Sequence, residues 1–387
     1  MSLTHPAFAL AGLSVLAVAT GYSVLTLLAV LAWRSRSSRR RSAAARPPVT
    51  LLKPLCGTEP DLYANLRSFC VQDYPTYQIV FGVRDEADPA IAFAKRLAVE
   101  FPAIPMDIVI DGSQHGSNLK VSNLMNMLPH ARHDVLIIAD SDAFVGPDYL
   151  DAVIAPLLDE KIGLVTCIYQ SVPARGIWSR LGAMYVNDWY MPSVLLAWLF
   201  GHRSYASGQT MCFRRATLEA MGGLDAIANH LADDYKLGEQ ARNLGLRIVL
   251  SRYIPETVQD EPTARALIDH EVRWMRTVRA LSPGNFPFLF VTFTLPVAAA
   301  GALLAARDPL LPGVGWILFS TFVAARLGLF CVPRLTDRRI PFGDIWLLPV
   351  RDLLLCWVWC RALFTSRVSW RGIEFVVDAQ GIIRNHT

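Results

Sequence analysis

Three short runs of acid carry most of the chemical possibility in this sequence. The first is Asp140-Ser141-Asp142, directly after the apolar residues 135–139. Alternate side chains of an extended strand share a face, so two aspartates one residue apart can be aimed at one point. Two hard oxygen ligands suit Mg²⁺ or Mn²⁺, with diphosphate and water completing the shell. A plain polar loop after a strand is the competing reading. The second run is Leu231-Ala232-Asp233-Asp234-Tyr235, which opens a helix with Leu237, Ala241 and Leu244 on one face and Gly245 as its stop. The helix dipole alone favours acids there. Adjacent side chains diverge, however, so one can cap the helix while the other faces a cleft. The third run places Asp85 and Asp88 after residues 79–83 and just before Pro89. Asp88 before proline is ordinary capping chemistry, and a ligand contact is compatible with it. A fourth element is basic and aromatic. On a helix, His270, Arg273 and Trp274 fall on one face. Arginine suits a phosphate, and the flat indole suits a sugar or a lipid chain. An interfacial anchor ahead of a membrane segment is the alternative for the Arg-Trp pair.

Residues 49–52, 79–83, 107–110, 135–139 and 163–167 are short apolar runs that read as buried strands. Residues 61–71, 89–101 and 148–158 fit helices; the second carries Ala94, Leu97, Ala98 and Phe101 on one face. Strand–helix alternation predicts an α/β domain with a mostly parallel sheet. Ligands then gather at the carboxyl ends of strands, where these acids stand.

The chain has 387 residues, is 53% hydrophobic and has a mean hydropathy of +0.32. That is too apolar for an ordinary soluble domain. A net charge of +4 is too small to argue for nucleic acid as a partner. Seven scattered cysteines form no CxxC pair, which excludes a zinc ribbon and reads as reduced thiols. Residues 7–33 carry no charge and are long enough to span a bilayer. Arg34, Arg36, Arg39, Arg40, Arg41 and Arg46 follow, marking a cytosolic side or lying on anionic headgroups. Residues 286–306 and 314–332 read as two more helices joined by a Pro-rich turn at 307–313. Arg334, Arg338 and Arg339 then mark the cytosolic side again. Residues 345–364 are apolar but contain Arg351 and Asp352, so they either span with the charges buried in protein or lie at the interface. Residues 194–200 read as a short interfacial or core helix. The organisation expected is an anchor over 1–33, a basic linker over 34–47, the α/β domain over 48–283, membrane segments over 284–366 and a tail over 367–387.

The combined text resembles the ceramide glucosyltransferase-like members of glycosyltransferase families 2 and 21. The resemblance runs from the anchor to Trp370. It rests on Leu51-Leu52-Lys53-Pro54-Leu55 with Gly57, Asp73-Tyr74-Pro75, Asp88-Pro89-Ala90-Ile91 and Asn118-Leu119-Lys120 with Asn123-Leu124. It continues through Asp140-Ser141, Gly222-Gly223-Leu224, Asp234-Tyr235, Arg273-Trp274 and Ser369-Trp370-Arg371. Such enzymes have three essential acids, falling here on Asp88, Asp140 and Asp234, and then Gln/Arg-x-x-Arg-Trp. His270 stands where Gln or Arg is usual, and Asp233-Asp234 where Glu-Asp is usual. His230-Leu231-Ala232-Asp233-Asp234-Tyr235, His115-Gly116-Ser117-Asn118 and the complete Asp140-Ser141-Asp142 are more similar to bacterial glycosyltransferases associated with hopanoid biosynthesis.

The resemblance implies a GT-A nucleotide-sugar fold with N- and C-terminal transmembrane helices, multi-pass in the bacterial inner membrane, its catalytic domain cytosolic. It implies UDP-N-acetylglucosamine or UDP-glucose as donor and a hopanoid or ceramide-like lipid as acceptor. Asp88, with Asp85, would bond the uracil or ribose, and Lys120 would sit near the nucleotide. Asp140 and Asp142 would hold the divalent ion. Asp234 would take the lipid hydroxyl's proton in an inverting displacement. Arg273, with His270, would stabilise the departing diphosphate, and Trp274 would line the acceptor side. A polysaccharide synthase would need more membrane helices to build a channel. A non-catalytic nucleotide-sugar sensor would not need the full set of acids.

Overall fold

The computed structural model of the chain describes residues 4–35, 45–203, 205–306, 312–337, 339–364, 367–370, 373–377 and 381–385. The chain divides into two compact units. One comprises Ser38–Gln170, His202–Val258 and Phe375–Thr387; the other comprises Met1–Ser37, Ser171–Gly201 and Gln259–Glu374.

The first unit is built on a seven-stranded sheet. Across it run Met106–Ile110, Tyr77–Val83, Val49–Pro54, Val135–Ile138, Met211–Arg214, Ile162–Thr166 and Arg247–Leu250. All five expected strands form, within two residues of the expected ends. In four of the five the apolar runs are continuous because both faces are covered: Leu51, Ile79 and Ile137 are buried with Leu66 and Leu97 from the flanking helices, and Leu52, Val80 and Ile138 are buried on the other face, whereas the edge strand Met106–Ile110 buries only Val109. Those helices are Leu62–Ser68, Ala90–Glu100 and Tyr149–Ile154, the last continuing as a 3₁₀ turn. The sheet is mostly parallel, as expected, with one reversal. Met211–Arg214 is antiparallel to both of its neighbours. Its register pairs Met211 with Ile138. The start of the reversed strand therefore reaches the same edge as the end of Val135–Ile138. Topology thus brings residues 207–210 to the Asp-x-Asp.

The second unit is helical. Ala7–Ser35 and Gly313–Thr336 are long and apolar enough to cross a membrane by length and composition. The first packs closely on Thr294–Ala305: a Cβ on Gly12 would stand 2.5 Å from Ala305 N, and one on Gly301 would stand 2.7 Å from Leu16 N. Small residues permit that approach where apolar helices gain nothing from hiding from lipid. Residues 286–306 are not the single helix expected. Phe286–Thr292 is a 3₁₀ helix bent by 73° from Thr294–Ala305. Pro296 falls in the first turn of the second piece, where a missing N–H costs nothing, so a helix restarts there rather than running through. Most of the expected turn at 307–313 lies outside the described residues, as do Arg36, Arg39, Arg40, Arg41, Arg338 and Arg371.

Three buried arginines of this unit are paired with carboxylates. Arg351, on the helix Leu348–Phe364, grips Glu271 with contacts of 2.5 and 2.6 Å. Its neighbour Asp352 takes Arg326 at 2.8 Å. The charges of residues 345–364 are therefore buried in protein, on a 17-residue helix that is not among those long and apolar enough to cross a membrane. Arg334 corrects another expectation. It is no loop cation but a buried partner of Asp188 at 2.8 Å. A guanidinium among apolar helices is expensive unless a carboxylate meets it in plane. The expected helix at 194–200 is part of Met191–Leu199, which buries Leu195, Leu196 and Trp198.

Candidate active site

The carboxylates at the sheet edge come together around one lysine. Asp140 and Asp142 follow directly on Val135–Ile138. Lys120 lies in the first turn of Leu119–Met127, a helix capped by Asn118, whose side chain accepts from Lys120 N and Val121 N. The Asn118 amide also donates to His230 O, and Asn118 N donates to Ala228 O. Gly116 touches Ala228 so closely that a Cβ would stand 2.3 Å from its carbonyl oxygen. This stitching holds residues 228–230 beside the lysine helix and delivers the next helix, Asp233–Asn243, to it. Gly245, with φ +74°, ends that helix as expected. Residues 381–383 brace the same loop, with Leu231 N donating to Gly381 O and Ile383 N to Asn229 O.

Lys120 Nζ stands 2.6 Å from Asp140 Oδ1 and 3.5 Å from Asp233 Oδ2. Burial works against its charge, but the Asp140 and Asp233 carboxylates outweigh burial and hold its pKa above the usual lysine range. Asp233 therefore faces Lys120. It does not cap its helix, whose N-cap is Ala232 with no side-chain bond. Asp234 accepts from Gly208 N at 2.9 Å and from Tyr235 N at 2.7 Å. Burial, and then the charge of Asp233, push the Asp234 carboxyl up to about 6. Asp142 accepts from Gln209 Nε2 at 3.1 Å. Burial raises its pKa, and the neighbouring Asp140 and Glu59 raise it further.

Asp85 and Asp88 stand apart from this group in their bonding. Asp88 accepts from Gly57 N at 2.9 Å and from Ala90 N at 2.9 Å, so it ties the first N–H of the helix Ala90–Glu100 to the Gly57 turn, although the N-cap position itself is Pro89. Asp85 closes its own turn by accepting from Ala87 N.

Four contributors escaped the sequence reading of the site. Gly208 and Gln209 arrive with the reversed strand, and a Cβ on Gly208 would stand 2.8 Å from Asp140 Oδ2 and 2.9 Å from Lys120 Nζ. Glu59 accepts from Ser141 Oγ at 2.7 Å. Lys53 is fully buried at the end of its strand, donates to Asp140 O at 2.5 Å and lies 3.7 Å from the centre of the Phe69 ring. Burial lowers its pKa to about 7, and Asp140, Asp142 and Glu59 oppose that drop. A lysine closing an otherwise apolar strand was the readable signal. A lone Glu59 or Gly208 gave none.

Among the described residues no group of three or more His, Cys, Asp or Glu is arranged to hold a metal alone. The donor set still suits a divalent ion that brings its own ligands. Asp140, Asp142 and Glu59 crowd negative charge, which adds to burial in raising the Asp142 pKa to about 7. A cation on Asp142 and Asp140 with diphosphate oxygens would relieve that crowding.

His270, Arg273 and Trp274 belong to the helical unit, on the helix Ala264–Leu281. The His270 and Trp274 rings pack at 4.1 Å, and Trp274 lies 5.1 Å from Tyr185. Glu271 faces Arg351 instead.

Residues 12–383 match glycosyl transferase family 21. The chain is 24% identical over 353 residues to Ceramide glucosyltransferase 1 of Caenorhabditis elegans, covering 87% of this chain and 73% of that protein. It is 23% identical over 338 residues to Ceramide glucosyltransferase 3 of the same organism, covering 85% and 72%. Among solved structures it is similar to mannosyltransferase PcManGT from Pyrobaculum calidifontis, in complex with GDP-Man and Mn²⁺. That likeness has a TM-score of 0.54 at 19% identity, covers 92% of this chain and 99% of that one, and speaks for the GT-A-like fold alone. A match over nearly the whole length, on a sheet that ends in these acids, makes this chain a glycosyltransferase belonging to glycosyl transferase family 21.

Proposed function

We propose that the chain transfers one sugar, N-acetylglucosamine or glucose, from its UDP donor to the hydroxyl of a membrane lipid, with inversion at the anomeric carbon. The acceptor we favour is a polyhydroxylated hopanoid, reached from the cytosolic face of a bacterial inner membrane. The observation that carries the reading is the meeting of Lys120 with Asp140 and Asp233, beside Asp234 and Asp142. Acids of the two runs meet at one lysine, which is what a site handling both a diphosphate and a hydroxyl requires.

In this reading Asp234 is the base. Its two oxygens are each fixed by a main-chain N–H, which orients the carboxylate and leaves lone pairs for the acceptor's proton. Asp140 and Asp142 hold the divalent ion, which when bound offsets charge on the departing UDP. Lys120 adds a fixed positive charge near the nucleotide. Asp88 and Asp85 line the nucleoside side through the turn they stabilise. Arg273 provides a cation for the diphosphate, and Trp274 an apolar face for the acceptor.

A second reading, transfer of glucose to ceramide, is favoured by what the worm relatives are named for. Incubating the detergent-solubilised enzyme with each UDP-sugar and each lipid separates the two. Glycosylation of a hopanoid polyol and not of ceramide supports the first; the reverse outcome overturns it in favour of the second.

A further inference from the structure

The helix that carries Asp233 and Asp234 starts without a side-chain cap, since its N-cap is Ala232. Its first turn is therefore held by the segment ahead of it, residues 228–231. That segment is bonded along both edges, and the bonds alternate as in an extended strand. On one edge Ala228 O accepts from Asn118 N at 2.9 Å, and His230 O accepts from Asn118 Nδ2 at 2.8 Å. On the other edge Asn229 O accepts from Ile383 N at 2.9 Å, and Leu231 N donates to Gly381 O at 3.0 Å. These last two bonds flank His230 and Ile382, which face each other as an antiparallel pair. Asn229 joins the two edges, because its Oδ1 also accepts from Ser117 N at 2.9 Å.

Residues 381–385 belong to what the sequence reads as a tail, yet they are built in. Ile383 is 3% exposed, and Ile383, Arg384 and Asn385 pair with Val377, Val376 and Phe375 in antiparallel register. Gly381 takes φ +77°, a conformation that a side chain would strain. The strand Ile383–Asn385 joins none of the seven strands of the main sheet. A segment that only covered a sheet edge would bond one of those strands; this one bonds the loop that leads into the acids. All of these residues lie in the compact unit that holds Lys120 and the acids.

We propose that Ile383 is a positioning residue of the active site: its N–H, together with Gly381 O, holds residues 228–231 against the lysine helix and so sets where Asp233 and Asp234 stand relative to Lys120 and Gly208. The inference rests on the transferase reading above, and two measurements on full-length enzyme in detergent keep the two separable. Ile383→Pro removes the N–H and keeps an apolar side chain, whereas Ile383→Val keeps both. The first measurement, hydrogen exchange, needs no turnover. The Leu231 and Ile383 amides should exchange slowly in the wild type. Ile383→Pro should speed exchange over residues 229–235 by about tenfold or more and leave Val49–Pro54 and Val135–Ile138 unchanged. Open-chain exchange of those two amides in the wild type, or unchanged exchange over 229–235 in Ile383→Pro, overturns the proposal whatever the activity. The second measurement is kinetic, with the UDP-sugar and lipid that the wild type turns over. Misplacing a reacting group by about 1 Å costs on the order of 10²-fold, so kcat should fall by about 10- to 100-fold in Ile383→Pro and stay within about twofold in Ile383→Val. Affinity for UDP with Mn²⁺ should hold within about twofold, because Asp140 and Asp142 follow a different strand. An unchanged kcat overturns the positioning role. So does a fall in UDP affinity or thermal stability in step with kcat, which would make the tail a structural brace only. A wild type that transfers sugar to no lipid refutes the transferase reading and leaves the exchange result to decide this one. If Ile383→Pro does not fold, Gly381→Ala, strained at φ +77°, is read by the same two measurements.

Discussion

Asp234→Asn removes the proposed base while keeping its shape. The structure sets the expected size of the effect. Asp234 is fixed by Gly208 N and Tyr235 N, and asparagine keeps one acceptor oxygen but turns an amide towards the other N–H. Leaving that buried N–H unmet costs about 1–3 kcal/mol of stability, so folding is checked by thermal unfolding first. On folded enzyme, kcat should fall by about 10²–10⁴-fold, the usual yield of a positioned base. UDP affinity should change little, because the proton comes from the acceptor. The pH profile gives an independent reading. Burial and Asp233 raise the Asp234 pKa to about 6, and only the ionised form accepts a proton. Activity should therefore be present above pH 6 and lost as pH falls through that value, with roughly nine-tenths of the base ionised at pH 7 and roughly a tenth at pH 5. Asp233→Asn removes the like charge beside it and should move this acid limb to lower pH. A kcat for Asp234→Asn within tenfold of wild type, with the limb unmoved, would take the base away from this residue.

Asp140→Asn and Asp142→Asn should each weaken metal-dependent activity without unfolding the sheet; full wild-type activity in EDTA would remove the metal role. Gly208→Ala places a Cβ 2.8 Å from Asp140 Oδ2 and 2.9 Å from Lys120 Nζ, so activity should fall at nearly constant thermal stability. Arg351→Met strands the buried Glu271 carboxylate and should destabilise the helical unit by about 3–5 kcal/mol, much of it recovered by adding Glu271→Gln, as thermal unfolding in detergent would report. An impermeant thiol reagent should miss Cys56 in intact cells and reach it in lysates if the catalytic unit is cytosolic. Cys56 is the thiol to use because it is exposed, whereas Cys70 is buried with its thiol on Leu66 O.

The strands that end in chemistry were legible because burial on both faces writes itself as an unbroken apolar run, as in Val49–Pro54 and Val135–Ile138. The Asp-x-Asp and the Asp-Asp pair stood out for the same reason: each follows or opens a periodic element. What their spacing concealed was their meeting. Nothing in sequence joins Lys120 to Asp140 and Asp233, because that contact depends on Asn118 and Gly116 docking on residues 228–230. Met211–Arg214 gives no such apolar run, because only Met211, Cys212 and Phe213 are apolar before Arg214, and Gly208 and Gln209 are illegible with it. Propensity leaves open which of Asp233 and Asp234 caps the helix and which faces a cleft. The attraction of Asp233 to a buried ammonium is a tertiary effect that propensity does not contain. Arg334 looked like a topology marker because the positive-inside rule counts charges and does not see the carboxylate, 146 residues away in sequence, that buries one of them.

The central claim is that a lipid hydroxyl receives one sugar. Mass spectrometry of lipid extracts from cells with the protein, without it, and with Asp234→Asn tests it most directly. The account predicts a lipid heavier by a single hexose or N-acetylhexosamine in the first culture only. An unchanged lipid profile, or a polymer whose length grows with time, would contradict it.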